Sequence, residues 1–83
     1  MHIAIAITGR AYNAALKLPR VLDLSDGADV EDALAALVRL AGPLAASALL
    51  AISGEHIGTV ANHEPRLLVE GDELLFFSPV AGG

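Results

Sequence analysis

The sequence has no cysteine, few aromatic residues and few basic residues. Its 83 residues include one tyrosine and two phenylalanines. The absence of cysteine excludes a disulfide framework, a thiolate metal site and a cysteine nucleophile. Five Lys and Arg residues stand against ten Asp and Glu, which gives a formal net charge of -5. Because an acidic surface repels phosphate backbones, this balance disfavours a nucleic-acid partner.

Long uninterrupted hydrophobic runs are also missing, although 54% of the residues are hydrophobic. The first apolar stretch lacks a preceding basic region and stops at Thr8-Gly9-Arg10, so it is too short for a signal peptide. The stretch 33–52 has the length of a membrane span, but it contains Arg39 and is broken by Gly42-Pro43. We therefore expect one cytoplasmic domain without a membrane partner.

The hydrophobic periodicity predicts one helix among several short strands. Ile3, Ile5 and Ile7 alternate with smaller or polar residues, which is typical of a half-buried strand over 2–8. Asp29 is the predicted N-cap of a helix that ends at Gly42-Pro43. Its apolar stripe consists of Val30, Ala33, Leu34, Leu37, Val38 and Ala41. The other predicted strands cover 20–24, 49–53, 56–61 and 73–78, with a tight turn at Gly54-Glu55 and an irregular stretch over 62–69.

The last strand is apolar on both faces, with Leu74 and Phe76 on one side and Leu75 and Phe77 on the other. A single helix covers only one face of a sheet. The first and last strands can pair in parallel because the helix lies between them in sequence. These features predict an α+β fold, a ubiquitin-like β-grasp with a mixed four- to five-stranded sheet and one main helix. Residues 1–78 would form the domain, and 79–83 a flexible C-terminal Gly-Gly tail.

Candidate chemistry within the domain is sparse. His56 and His63 with Glu64 are the nearest approach to a metal-binding group, but the histidines are too scattered for a metal motif, so we predict no metal site. The sequence contains no phosphate-binding loop, nucleophile elbow or zinc-protease motif.

The final residues, GDELLFFSPVAGG over 71–83, resemble the end of the ubiquitin-like sulfur carriers of the MoaD and ThiS type. The resemblance is closest to the small subunit of molybdopterin synthase, which typically ends in GDE, an apolar strand, Pro-Pro-Val, a small residue and Gly-Gly. The run DGADV over 26–30, followed by LAAL over 34–37, is also similar to that family. Ser78 departs from the family by replacing the first of the two prolines.

The resemblance implies that the Gly83 carboxylate is adenylated by an E1-like enzyme that uses ATP, and is then converted to a thiocarboxylate. The tail of Pro79, Val80, Ala81 and Gly82 would enter the large catalytic subunit of molybdopterin synthase and donate sulfur to a pterin precursor. The carrier itself would be non-catalytic and bind no cofactor. Glycines at the end suit a narrow channel because they have no side chains. Phe77 and Leu75, on the face that the helix leaves open, are the predicted partner-binding residues.

Other functions are compatible with the same residues. The chain could carry sulfur for thiamine, for tRNA thiolation or for another metabolite, although the Pro-Val-Ala-Gly-Gly ending leans away from the thiamine carriers. It could instead be a ubiquitin-like modifier conjugated to lysines through Gly83. A plain β-grasp interaction domain with an incidental Gly-Gly is the third alternative.

Overall fold

The computed structural model describes residues 1–8 and 18–77, which form a five-stranded sheet and one helix. The elements are β1 (His2–Ile7), β2 (Val21–Asp23), α1 (Val30–Ala41), β3 (Leu49–Ile52), β4 (Glu55–Thr59) and β5 (Glu73–Phe77). The strand order is β2-β1-β5-β3-β4, with β1 parallel to β5 and the other pairs antiparallel. The predicted α+β class with a mixed sheet is confirmed, and the arrangement is compatible with a β-grasp. The predicted tail 79–83 lies outside the described residues.

The central pair of strands, β1 and β5, holds most of the sheet side of the core. Ile5 lies opposite Leu74, and Ile7 lies opposite Phe76. Leu74 and Phe76 are almost fully buried, with exposed fractions of 0% and 2%. The predicted alternation of β1 is confirmed, because Ile3 and Ile5 are buried and Ile7 packs against the same core. Strands buried in this way need apolar side chains at every second position.

The helix α1 begins with a reciprocal cap. The Asp29 carboxylate accepts the Asp32 N–H at 2.9 Å, and the Asp32 carboxylate accepts the Asp29 N–H at 3.0 Å. This arrangement satisfies two amides that have no partner within the helix. At the other end, Gly42 has a φ of 96°, and its N–H donates to the Val38 carbonyl at 2.9 Å. Both predicted ends of the helix are confirmed.

The buried stripe of α1 differs from the predicted one at its edge. Val38 is 44% exposed, whereas Ala36 is only 8% exposed. Successive residues are about 100° apart on a helix, so positions 36 and 38 point in nearly opposite directions and cannot both face the sheet. The helix is turned so that Ala36 faces the sheet, and the small side chain of Ala36 allows the helix to pack close to the strands.

Several strand boundaries also differ from the predicted ones. The strand β1 ends at Ile7 rather than at residue 8, and β2 spans Val21–Asp23 rather than 20–24. The turn between β3 and β4 is formed by Ser53 and Gly54, with φ values of 47° and 90°, rather than by Gly54 and Glu55. Positive φ at both positions is the pattern of a two-residue type I′ hairpin turn, and it leaves Glu55 to pair with Ile52 across the strands. The strand β4 ends at Thr59 and not at residue 61, because Thr59 and Asn62 bond to each other's main chain and reverse the chain.

The connection from β4 to β5 is irregular, as predicted, and crosses the start of α1. The Val30 N–H donates to the Arg66 carbonyl at 3.0 Å, and the Leu68 N–H donates to the Ala28 carbonyl at 3.0 Å. Leu68 is buried between these bonds. The connection thereby attaches the beginning of the helix to the sheet.

At its end, this connection is tied to β1 by Glu70. The Glu70 carboxylate accepts the His2 N–H at 2.9 Å, and its second oxygen lies 3.5 Å from His2 Nδ1. The backbone hydrogen bond from His2, and then the charge of the His2 ring, lower the pKa of Glu70. A carboxyl group whose pKa is lower in the folded state than in the unfolded state stabilises the protein at pH values above the unfolded-state pKa. That contribution disappears as the pH falls through the folded pKa.

We therefore expect Glu70→Gln to destabilise the protein at neutral pH, and the difference from wild type to shrink as the solution is acidified toward about pH 3. Urea unfolding at a series of pH values measures this difference. Glu64→Gln is the matched control, because no hydrogen bond or ion pair joins the Glu64 side chain to the described part of the chain. A gap between wild type and Glu70→Gln that stays constant down to acid pH would contradict the assignment.

Candidate functional site

Within residues 1–8 and 18–77, α1 covers one face of the sheet and no helix covers the other, which we call the open face. On β5 the buried Leu74 and Phe76 point toward the helix, so Leu75 and Phe77 lie on the opposite face, where both are half-buried. The face assignment made from the sequence for these two residues is confirmed. Their role in binding a partner stays a prediction.

The neighbours of Leu75 and Phe77 on this face are also apolar. Leu75 lies between Ala6 of β1 and Ala51 of β3, and Phe77 lies opposite Leu49 of β3. We call these five residues (Ala6, Leu49, Ala51, Leu75 and Phe77) the open-face patch. Because the other two members are alanines, of which Ala51 is only 6% exposed, Leu49, Leu75 and Phe77 contribute the large side chains of the patch.

One aromatic contact marks the β4 side of the patch. The rings of His56 and Phe77 have centroids 5.7 Å apart and are inclined at 59°. His56 pairs with Ala51 across the strands, which places it beside the patch. An exposed imidazole on the side of a phenyl ring limits the positions that Phe77 can take while giving the rim a polar edge.

The opposite end of the open face carries acidic side chains beside one exposed valine. Glu73 lies opposite Ala4, and Asp23 lies opposite His2. Ala4 also pairs with Val21 of β2, which is 55% exposed. Near this end, the Ser53 hydroxyl donates to the Asp72 carboxylate at 2.7 Å. Apart from Ala4 and Val21, the apolar residues of this face lie toward the end of β5 that leads into Ser78.

The other residues singled out from the sequence are not brought together. His56 lies against Phe77, whereas the His63 ring contacts Glu31 and the Thr59 carbonyl. Residues 1–8 and 18–77 contain no group of three or more side chains placed to hold a metal ion. Pro79, Val80, Ala81, Gly82 and Gly83, the predicted tail and attachment residues, lie outside the described residues.

A shallow cavity of about 400 Å³ lies between the β2–α1 connection and the helix. Its lining includes the carboxylate of Asp32, which is engaged in the helix cap, and the guanidinium of Arg39. The cavity shares no residue with the open-face patch. We assign the patch, and not this cavity, as the candidate site.

Comparison with protein-family models, with curated proteins and with solved structures finds no match to this chain. Among the described residues, the structure has no helix long and apolar enough to cross a membrane. The function therefore has to be argued from the patch and from the residues that follow it.

Alanine substitutions at two adjacent phenylalanines test the division between core and open face. Phe76→Ala should destabilise the protein by about 3–5 kcal/mol, because it empties a buried site. Phe77→Ala should cost less than about half of that, since its half-buried ring leaves little cavity behind. Thermal and urea unfolding measure both values. Equal losses from the two variants would show that Phe77 belongs to the core.

Proposed function

We propose that this chain is a β-grasp sulfur carrier, and specifically the small subunit of molybdopterin synthase, which acts in the cytoplasm. The observation that carries the proposal is the position of the open-face patch. Its bulkiest residue, Phe77, is the last residue of β5, and the sequence runs directly from Phe77 into Ser-Pro-Val-Ala-Gly-Gly. A docking surface next to a slim tail is what a carrier needs in order to present its end to an enzyme.

The chemistry of such a tail follows from its carboxylate. A carboxylate oxygen of Gly83 attacks the α-phosphate of ATP and releases pyrophosphate, which leaves an acyl adenylate. A sulfide nucleophile then attacks the acyl carbon and expels AMP together with the original oxygen. The product is a thiocarboxylate, formed by exchange of one oxygen for one sulfur.

The proposed division of labour assigns the chemistry to the partners. The sequence has no cysteine that could act as a nucleophile of its own. The E1-like enzyme would supply the activating chemistry, and the large subunit would supply the site where the pterin precursor accepts sulfur. The carrier would contribute the surface that its partners recognise and a C-terminal segment that extends into their active sites.

In this proposal, the distance between the docking surface and Gly83 is limited by the number of residues after Phe77. The six residues after Phe77 can span at most about 20 Å when fully extended. Pro79 restricts the backbone near the start of this segment, which reduces the entropy lost on docking. A partner's reactive centre therefore has to lie within that distance of the surface that binds the open-face patch.

The first test addresses the chemistry of Gly83. The protein is incubated with ATP, an E1-like enzyme and a sulfur donor, and its intact mass is measured. We expect exchange of one oxygen for one sulfur, and fragment ions should place the exchange at Gly83. Modified lysines linked to this chain in a lysate would instead identify a protein modifier.

Two variants serve as controls for this test. Deletion of Gly83 should abolish activation, and sulfur transfer that survives the deletion would overturn the proposal. Gly82→Ala keeps the terminal carboxylate but adds a methyl group to the slim tail. We expect unchanged unfolding curves from it and slower transfer, because the added methyl group would obstruct a channel that fits only backbone.

The second test addresses the open-face patch. Calorimetric titration should show that Phe77→Ala weakens binding to the large subunit and to the E1-like enzyme by about 30- to 1000-fold. This factor corresponds to about 2–4 kcal/mol for the loss of a buried aromatic contact. Because both complexes would use the same patch, the two partners should also compete.

Leu67→Ala is the matched control for docking, because Leu67 is 69% exposed and belongs to the connection before β5, away from the patch. It should leave both affinities unchanged. Circular dichroism must show that both variants are folded. Normal binding by a folded Phe77→Ala variant would exclude the patch as the docking surface, whereas the Gly83 chemistry could still hold.

A further inference from the structure

Within the described residues, the strand β2 lies at the edge of the sheet and pairs with β1 alone. The Leu24 N–H donates to the Met1 carbonyl, and the Ile5 N–H donates to the Arg20 carbonyl, both at 2.8 Å. In an antiparallel pair, positions bonded in this way alternate with positions whose main-chain groups point away from the neighbouring strand. Leu22, midway between the two bonded positions of β2, therefore also bonds to β1.

The N–H and C=O groups of Val21 and Asp23 point away from β1 for the same reason. In the parts of the chain that the structure describes, 1–8 and 18–77, no strand lies beside them and none of these four groups has a hydrogen-bond partner. Val21 is also 55% exposed, so this edge is accessible. A row of unpaired main-chain donors and acceptors on a strand is the feature to which an extended chain adds as a new strand.

The cavity of about 400 Å³ lies next to this edge. Its lining includes Leu24, the residue after β2, and Ala35 and Arg39 of α1. Leu24 lies two residues after Leu22, which is buried in the core, so both side chains are on the face that the helix covers. An added strand would lie about 4.8 Å from β2, and its side chains on that face would lie beside the cavity.

The cavity is lined by one cationic side chain and two carboxylates. The Asp32 carboxylate accepts the Asp29 N–H at 3.0 Å, and the Asp26 carboxylate lies 3.8 Å from the Met1 ammonium group. Arg39 forms no ion pair with any residue that the structure describes. Asp32 precedes Arg39 by seven residues, about 10 Å along the helix axis, so the two do not pair directly. The guanidinium is therefore available to a ligand.

We propose that the edge of β2 and this cavity together bind an extended segment of a partner protein, which adds as a strand beside β2 and places an acidic side chain against Arg39. Val21 and Asp23 supply up to four main-chain hydrogen bonds, and Arg39 supplies a charge-assisted one. The Asp23 side chain does not oppose this contact, because it points to the open face. The site shares no residue with the open-face patch, so the proposal is independent of the sulfur-carrier function.

The first experiment uses a capped peptide, acetyl-Thr-Val-Thr-Glu-Thr-Val-Thr-amide, which has Val and Glu on one face when it is extended. It is titrated into the ¹⁵N-labelled full chain. We expect the largest amide shifts at Val21, Asp23 and Arg39. The Val21 and Asp23 amides should exchange rapidly in the free protein, unlike that of Leu22, and more slowly with bound peptide. Slow exchange of both amides without peptide, or shifts centred on Phe77, would overturn the proposal.

Methylation of the peptide nitrogens separates strand addition from other binding. An added strand directs only alternate N–H groups toward β2. One peptide is therefore N-methylated at the two Thr residues beside Glu, and another at Glu and the Val that follows. We expect one of the two to bind about tenfold more weakly, because it loses two hydrogen bonds, and the other to bind normally. Equal affinities of the two methylated peptides would overturn the proposal.

Arg39→Gln tests the preference for an acidic side chain. Its affinity for the peptide should be about two- to fivefold lower, as expected for a partly exposed charge pair. Replacing Glu of the peptide by Gln should have the same effect on wild type and no effect on the variant. Arg66→Gln is the matched control, because Arg66 pairs with Glu55 away from the cavity and its loss should not change binding. An affinity that is insensitive to Arg39→Gln would overturn the proposal.

Val21→Pro tests the edge from the side of the protein. Proline removes an N–H that does not bond to β1, so the variant should be folded by circular dichroism and should lose the peptide. If it does not fold, the methylated peptides test the same hydrogen bonds. Sedimentation of the chain alone examines the other occupant of such an edge, a second copy. A wild-type dimer that Val21→Pro dissociates would overturn the proposal in favour of pairing between copies.

Discussion

Parallel pairing between β1 and β5 is the constraint on which the rest of the structure depends. It joins strands from near the two ends of the described chain, so its formation has to offset the entropy of closing a long loop. The compensation comes from the side chains that the register aligns under the helix, such as Ile5 with Leu74 and Ile7 with Phe76. In the sheet, β2 and β3 pair with the outer sides of these two strands, and α1 covers one face.

The same register creates the candidate site on the other face. Strand geometry sends Leu75 and Phe77 away from the helix, where they lie among Ala6, Leu49 and Ala51. One short strand therefore serves two purposes, since alternate side chains build the core and the open-face patch. In the proposed carrier, a strand shared by the core and the patch would keep the docking surface rigid next to the C-terminal residues.

Much of the acidic character of the chain has a structural use. Asp29, Asp32, Glu70 and Asp72 each accept a hydrogen bond from a main-chain amide in a cap or a connection. Such contacts satisfy amides that would otherwise lack a partner at the ends of elements. Four of the ten acidic residues therefore help to join the short strands and the helix.

Features that depend on local geometry could be predicted from the sequence. Alternation in 73–77 was enough to separate Phe76 from Phe77, and Asp29 was recognisable as a helix cap, because both patterns involve residues close together in the chain. The orientation of α1, with Ala36 facing the sheet and Val38 exposed, could not be predicted in this way. It depends on how closely the helix packs against the sheet, which is a property of the tertiary structure. The tertiary structure also decided the contact of His63 with Glu31. These residues are far apart in the chain and meet only because the β4–β5 connection crosses the start of the helix.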